Sequence, residues 1–269
     1  MNNSNLKKPF TAVAYVLVFL AIQAVVQLVV LLAMMAIQHK TLEQLDPMGI
    51  IIASVIFSLI TIALFVWQKW APVSRQFIMS RPWSVLFWSL MASVGAIIPS
   101  LYYQELLPEW PDSIQRYIEQ VAQQMVVVMN TSGGYAVVCL LAPIAEELVF
   151  RGAVLRTLLG WQPRRRWLMI VLSALLFALA HLNPAQMIHP FLIGLLLGWM
   201  YTRTGSIVPG VIYHWANNTA AYLLIRLYQD PDITVTQLFG QPSRALLAVF
   251  FSLLIFIPAV YQLNLRMKR

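Results

Sequence analysis

Glu146, Glu147, Arg151, His181, His189, His214, Asn217 and Asn218 stand in stretches of chain that are otherwise apolar. Ionisable groups in such surroundings are expensive, so each is a candidate for function until it is paired. Helical spacing sorts them. Glu147 and Arg151 are four residues apart, share a face and can neutralise each other. Glu146 is rotated by about 100° from Glu147 and stays available to another partner. His214 and Asn218 also share a face. Pro143 has no backbone N–H, so it frees the Cys139 carbonyl and predicts a kink just ahead of the carboxylates. Gly160 and Pro163 end that helix.

A free carboxylate, two imidazoles and an amide can hydrolyse an amide bond. Glu146 can take a proton from water as general base. Asn218 and a histidine can hydrogen-bond the oxyanion that forms on the attacked carbonyl. The same Glu146, His181 and His214 can instead hold a catalytic zinc with one position open to water. No H-E-x-x-H zincin motif is present. A polar cluster inside a membrane also suits the proton or ion relay of a transporter or ion-coupled carrier, and spacing alone fits transport as well as hydrolysis. A non-catalytic immunity or scaffold protein that acts by binding is a third reading. His189 reads as a helix-to-helix hydrogen bond, Glu147–Arg151 as a structural pair, and Cys139 as packing.

The elements that carry these residues must be membrane helices. The chain has 269 residues, of which 60% are apolar and 10% charged. A soluble fold of this size cannot hide so much apolar surface, which excludes a soluble enzyme, a disordered chain, a nucleic-acid-binding domain and a disulfide scaffold. One cysteine forms no intrachain disulfide. Charge-free stretches run over 10–37, 47–68, 82–104, 121–145, 167–202, 204–225 and 245–265. The fifth is too long for one span and breaks at His181-Leu182-Asn183-Pro184. It forms either two full spans or a re-entrant hairpin. The expected fold is therefore all-α, a polytopic membrane bundle of about eight transmembrane segments in a single domain over 1–269, with its catalytic core at 135–227.

Thirteen Lys/Arg residues flank one side of these spans, among them Lys7, Lys8, Lys69, Arg156, Arg164, Arg203, Lys268 and Arg269. The other side receives Lys40, Arg116, Arg226 and Arg244. That bias predicts cytoplasmic termini, and several tryptophans at the same span ends fit an interfacial belt. The N-terminal apolar run is too long for a signal-peptide core and reads as an uncleaved span. Asp112 and Ser113 are placed to cap a helix with Ile114, Tyr117, Ile118, Val121 and Met125 on one face. It reads as an interfacial helix anchored on the outer leaflet, with a lid over a site as the lesser role. Thr131-Ser132-Gly133-Gly134 breaks the chain after it. Gly194-x-x-x-Gly198 permits close helix packing.

The segment Glu146-Glu147-Leu-Val-Phe-Arg151 resembles the E-E-x-x-x-R motif of the CAAX protease and bacteriocin-processing family. Phe177-Ala-Leu-Ala-His181 resembles its F-x-x-x-H motif, and His214-Trp-Ala-Asn-Asn218 its H-x-x-x-N motif. The resemblance covers about Tyr135 to Leu224. It implies an intramembrane endopeptidase in which Glu146 activates water, Glu147 and Arg151 support it, His181 and His214 position water or polarise the carbonyl, and Asn218 donates to the oxyanion. The family has been treated both as metal-dependent and as metal-free. The metal-free version, with no cofactor, is preferred here, and zinc on Glu146, His181 and His214 is the alternative. Eukaryotic relatives cut prenylated C-terminal tails, whereas bacterial ones are linked to peptide processing and bacteriocin self-immunity. The charge bias and the lack of a transit segment suit a bacterial inner membrane. The expected partners are membrane lipids and a peptide or membrane-anchored protein substrate, with no nucleic acid and no specified substrate-binding residues.

Overall fold

The computed structural model describes residues 7–41, 44–72, 75–108 and 110–267. Lys268 and Arg269, counted above among the flanking charges, lie outside the described residues. The chain is helical throughout, with no strand among the described residues. Its helices are α1 (Lys8–Gln38), α2 (Met48–Trp67), α3 (Arg75–Met79), α4 (Trp83–Glu105), α5 (Asp112–Asn130), α6 (Ala142–Glu147), α7 (Arg156–Trp161), α8 (Arg166–Leu179), α9 (Pro184–Thr204), α10 (Val208–Tyr228), α11 (Val235–Phe239) and α12 (Pro242–Arg266). Helix α6 is flanked by π-helical turns at Ala136–Leu141 and Leu148–Leu155, and the latter run into α7. Residues 136–161 thus form one unbroken rod.

Among the described residues, α1, α2, α4 and α12 are the four helices long and apolar enough to cross a membrane. This is an integral membrane protein, but the expected count of about eight spans is not reached on that criterion. The reason lies in the site itself. Glu146, Glu147, Arg151, His189, His214, Asn217 and Asn218 lower the apolarity of the rod, α9 and α10, and π-helical turns divide the rod into α-helices of six residues. The stretch 121–145 is divided at the Thr131–Gly134 turn, where Gly133 takes φ 88°. The stretch 167–202 is divided at 180–183, where Leu182 takes φ 54°. That leaves α8 with 14 residues, about 21 Å of helix against a hydrocarbon core of roughly 30 Å. Helix α9 has 21 residues and starts at Pro184, as its proline predicts.

Lipid offers helices no hydrophobic reason to associate, so close packing through small residues holds the bundle together. A Cβ on Gly194 would lie 2.9 Å from Ala174 Cβ, and one on Gly198 2.9 Å from Ile170 Cγ2, so the Gly194/Gly198 pair lets α9 lie directly on α8. At Gly95 a Cβ would meet the Phe256 backbone, which brings α4 against α12. Phe19, Phe65, Met169 and Phe177 pack around Phe150 and Leu155 of the rod, and every residue of Leu148–Leu155 is buried. The outward faces of α1 and α12 are apolar and exposed, as lipid contact requires.

Interhelical hydrogen bonds define two ends. At one, Lys8 Nζ donates to the Gly160 carbonyl at 2.7 Å, and Arg203 Nη2 to that of Asn264 at 3.1 Å. At the other, Tyr117 donates to the Leu182 carbonyl at 3.2 Å, and Arg226 and Gln229 both bind Asn130 Oδ1. The first end collects residues of the Lys/Arg-rich side. Asp112 does not cap α5. It sits in the first turn behind Pro111, without a side-chain cap, where its charge complements the helix N-terminus.

Candidate active site

Glu147 and Arg151 are completely buried and form the expected pair, Oε1 to Nη1 at 2.6 Å. The rod leaves their remaining atoms to neighbouring helices. Arg151 stacks its guanidinium 4.4 Å above the centre of the Phe177 ring of α8. Gly194 of α9 gives Arg151 room, since a Cβ there would stand 3.3 Å from Nη2. Gly210, in the first turn of α10, does the same for Glu147: a Cβ there would be 2.8 Å from Oε2. The positive end of α10 therefore faces a buried carboxylate oxygen.

His214 stands between the two glutamates. Its Nδ1 is 3.5 Å from Glu147 Oε1 and its Nε2 is 3.7 Å from Glu146 Oε2. Glu146 keeps 21% of its side chain accessible, whereas Glu147 has none. The 100° rotation between adjacent residues thus turns one carboxylate toward Arg151 and the other toward open space, as the spacing implied. That space is a cavity of about 370 Å³ walled by the rod, α1, α2 and the apolar face of α5. Gln23, Gln27, Ser54, Ser58 and Gln124 add polar atoms to it. Sequence reasoning passed over these residues, although Gln23 and Gln27 are a four-spaced amide pair in an otherwise apolar span. It also preferred anchoring to covering for α5, yet Val121, Met125 and Val128 form part of the wall beside Glu146.

His181 is placed differently. Its Nδ1 donates to the carbonyl of Phe177 in α8 at 2.9 Å. No hydrogen bond, ion pair or ring contact joins His181 to Glu146 or His214 among the described residues. Phe177 connects them instead, its ring edge-on to His181 at 4.9 Å and to His214 at 5.9 Å. His181, His189, Asn217 and Asn218 line a second cavity of about 290 Å³, which shares Met125 and Val138 with the first. His189 bridges helices as anticipated, its Nε2 3.3 Å from Asn217 Nδ2, and it stacks on Tyr103.

Asn218 donates Nδ2 to the Val138 carbonyl at 2.9 Å. This corrects the expected effect of Pro143. The carbonyl taken by an outside donor lies five residues before the proline, not four, because the preceding turns are π-helical and their hydrogen bonds run i to i−5. Ser173 of α8 likewise donates to the Phe150 carbonyl at 2.9 Å in the second π-helical segment. Both π-helical segments adjoining the carboxylates are therefore tied by side chains of other helices. One Asn218 amide N–H remains for a ligand.

Among the described residues no three His, Cys, Asp or Glu side chains group as a metal-binding set. The Glu146, His181 and His214 donors implied for zinc do not converge here, since His181 faces the second cavity. Cys139 is buried packing. No curated protein and no solved structure matches the chain. Residues 129–220, which contain every residue from Glu146 to Asn218, match the type II CAAX prenyl endopeptidase Rce1-like family model.

Proposed function

We propose that the protein is an intramembrane endopeptidase that hydrolyses a peptide bond of a membrane-associated peptide or protein with water activated by Glu146. The observation that carries this reading is His214 held between Glu146 and Glu147 at 3.7 and 3.5 Å, with Glu146 the one of the two glutamates open to the cavity of about 370 Å³. Arg151 neutralises Glu147, so the carboxylate that remains for His214 and for water is Glu146. A water hydrogen-bonded to Glu146 attacks the carbonyl carbon while its proton passes to the carboxylate. The oxyanion is met by the free N–H of Asn218 and by His214. When the C–N bond breaks, the proton on Glu146 goes to the leaving amine. His181, which lines the second cavity with Asn218, acts on the bound substrate there and not on the water at Glu146. No cofactor takes part in this scheme.

The Lys/Arg-rich end is assigned to the cytoplasm of a bacterial inner membrane, and the rod, α9 and α10 cross alongside the four apolar helices. Protein prenylation is not expected there, so the substrate is an unmodified peptide or anchored protein. The test is purified protein incubated with membrane-anchored peptides, farnesylated and unmodified, with products identified by mass spectrometry. Cleavage of unmodified peptides is expected. Cleavage of farnesylated peptides only overturns the substrate assignment, and substrate flux into proteoliposomes without peptide products overturns the enzyme in favour of a carrier.

A further inference from the structure

About ten residues along the rod from Glu146, roughly 15 Å of helix, a separate cavity of about 290 Å³ opens at the Lys/Arg-rich end. Lys8 at the start of α1, Lys69 after α2 and Arg156 at the start of α7 all line it, with Tyr15, Trp70 and Thr157. Among the described residues none of the three cations has a carboxylate within ion-pairing distance. Lys8 and the backbone of Lys69 are held in place. Lys8 Nζ is anchored on the Gly160 carbonyl at 2.7 Å. Lys69 takes φ 57° in a turn closed by Lys69 N to Val66 O and Trp70 N to Phe65 O, both at 3.0 Å. Tyr15 and Trp70 pack at 5.0 Å between ring centres to form an aromatic wall.

Three like charges lining one concavity repel one another unless an anion joins them. We propose that this cavity is a binding site for a phosphate group, presented by the headgroup of an anionic phospholipid. Lysine and arginine are the usual phosphate partners, and basic pockets between membrane helices at the cytoplasmic end bind anionic headgroups. The flank suits the rest of such a lipid: Trp67 of α2, three residues before the lining Trp70, is exposed by 77%, so acyl chains can continue along that outer face. The site does not depend on Glu146 or on peptide cleavage.

The test is thermal unfolding of the full chain in neutral detergent with added dioleoyl phosphatidylglycerol, dioleoyl phosphatidylcholine or inorganic phosphate. Wild type and Lys69→Gln/Arg156→Gln are compared, with Arg244→Gln at the opposite end as control. Phosphatidylglycerol is expected to raise the wild-type midpoint and phosphatidylcholine to leave it. In the double variant the phosphatidylglycerol concentration for half-maximal effect rises by roughly 25-fold, about fivefold for each cation removed, while Arg244→Gln behaves as wild type. An equal, variant-sensitive shift with inorganic phosphate supports the site and assigns free phosphate as its ligand. A phosphatidylglycerol effect that is absent from wild type, or unchanged in the double variant, overturns the proposal. Both substituted side chains are exposed. If the double variant does not fold, Lys69→Gln alone is compared by native mass spectrometry, where retention of phosphatidylglycerol equal to wild type is the overturning result.

Discussion

Glu146 and Glu147 are neighbours with opposite fates, and His214 is the residue that separates them. Glu147 is spent on Arg151 at 2.6 Å in complete burial, so removing one member leaves an uncompensated charge. Arg151→Met is expected to cost about 3–5 kcal/mol, whereas Glu147→Gln/Arg151→Met recovers much of that, as thermal unfolding midpoints will show. A double variant no more stable than Arg151→Met contradicts the pairing. In cleavage assays His214→Ala is expected to lose about 10²- to 10⁴-fold in rate. His189→Ala keeps substantial activity, because His189 ties α9 to α10 through Asn217. The four-residue spacing made Glu147–Arg151 legible from sequence, and the adjacent rotation made Glu146 legible. The separation of His181 was not legible, because it depends on its bond to the Phe177 carbonyl and on a ring interposed in space.

At the scale of elements, the rod works because other helices close the gaps left by its π-helical turns. Asn218→Ala leaves the Val138 carbonyl without its donor and removes the proposed oxyanion donor, so it should lower both the unfolding midpoint and the cleavage rate. Ser173→Ala leaves the Phe150 carbonyl similarly exposed, at a cost of about 1–3 kcal/mol, but should spare the chemical step at temperatures where the variant is folded. Equal losses of activity in the two would remove the special role of Asn218. Gly210→Ala places a methyl 2.8 Å from Glu147 Oε2, and is expected to displace that carboxylate from His214 and reduce the rate. None of these contacts between elements can be read along one chain. Pro143 announced a disturbed helix, but its register needed the π-helical geometry.

For the whole molecule, composition and charge placement were enough for an all-helical membrane protein, and hydrogen bonds gather Lys8, Gly160, Arg203 and Asn264 at one end. Span counting failed where it met the site, since Glu146, Glu147, Arg151, His189 and His214 make the rod, α9 and α10 less apolar. Orientation is testable because the one cysteine, Cys139, is buried. In intact cells a membrane-impermeant thiol reagent should label Asp230→Cys and leave Arg164→Cys unlabelled until the membrane is opened. The reverse pattern would place the Lys/Arg-rich end outside.

The most direct test is the rate at which Glu146→Gln cleaves a peptide that the wild-type protein cuts, measured with purified protein whose unfolding midpoint is unchanged. A fall of about 10²- to 10⁴-fold is the predicted result. Turnover at the wild-type rate would contradict Glu146 as the group that activates water.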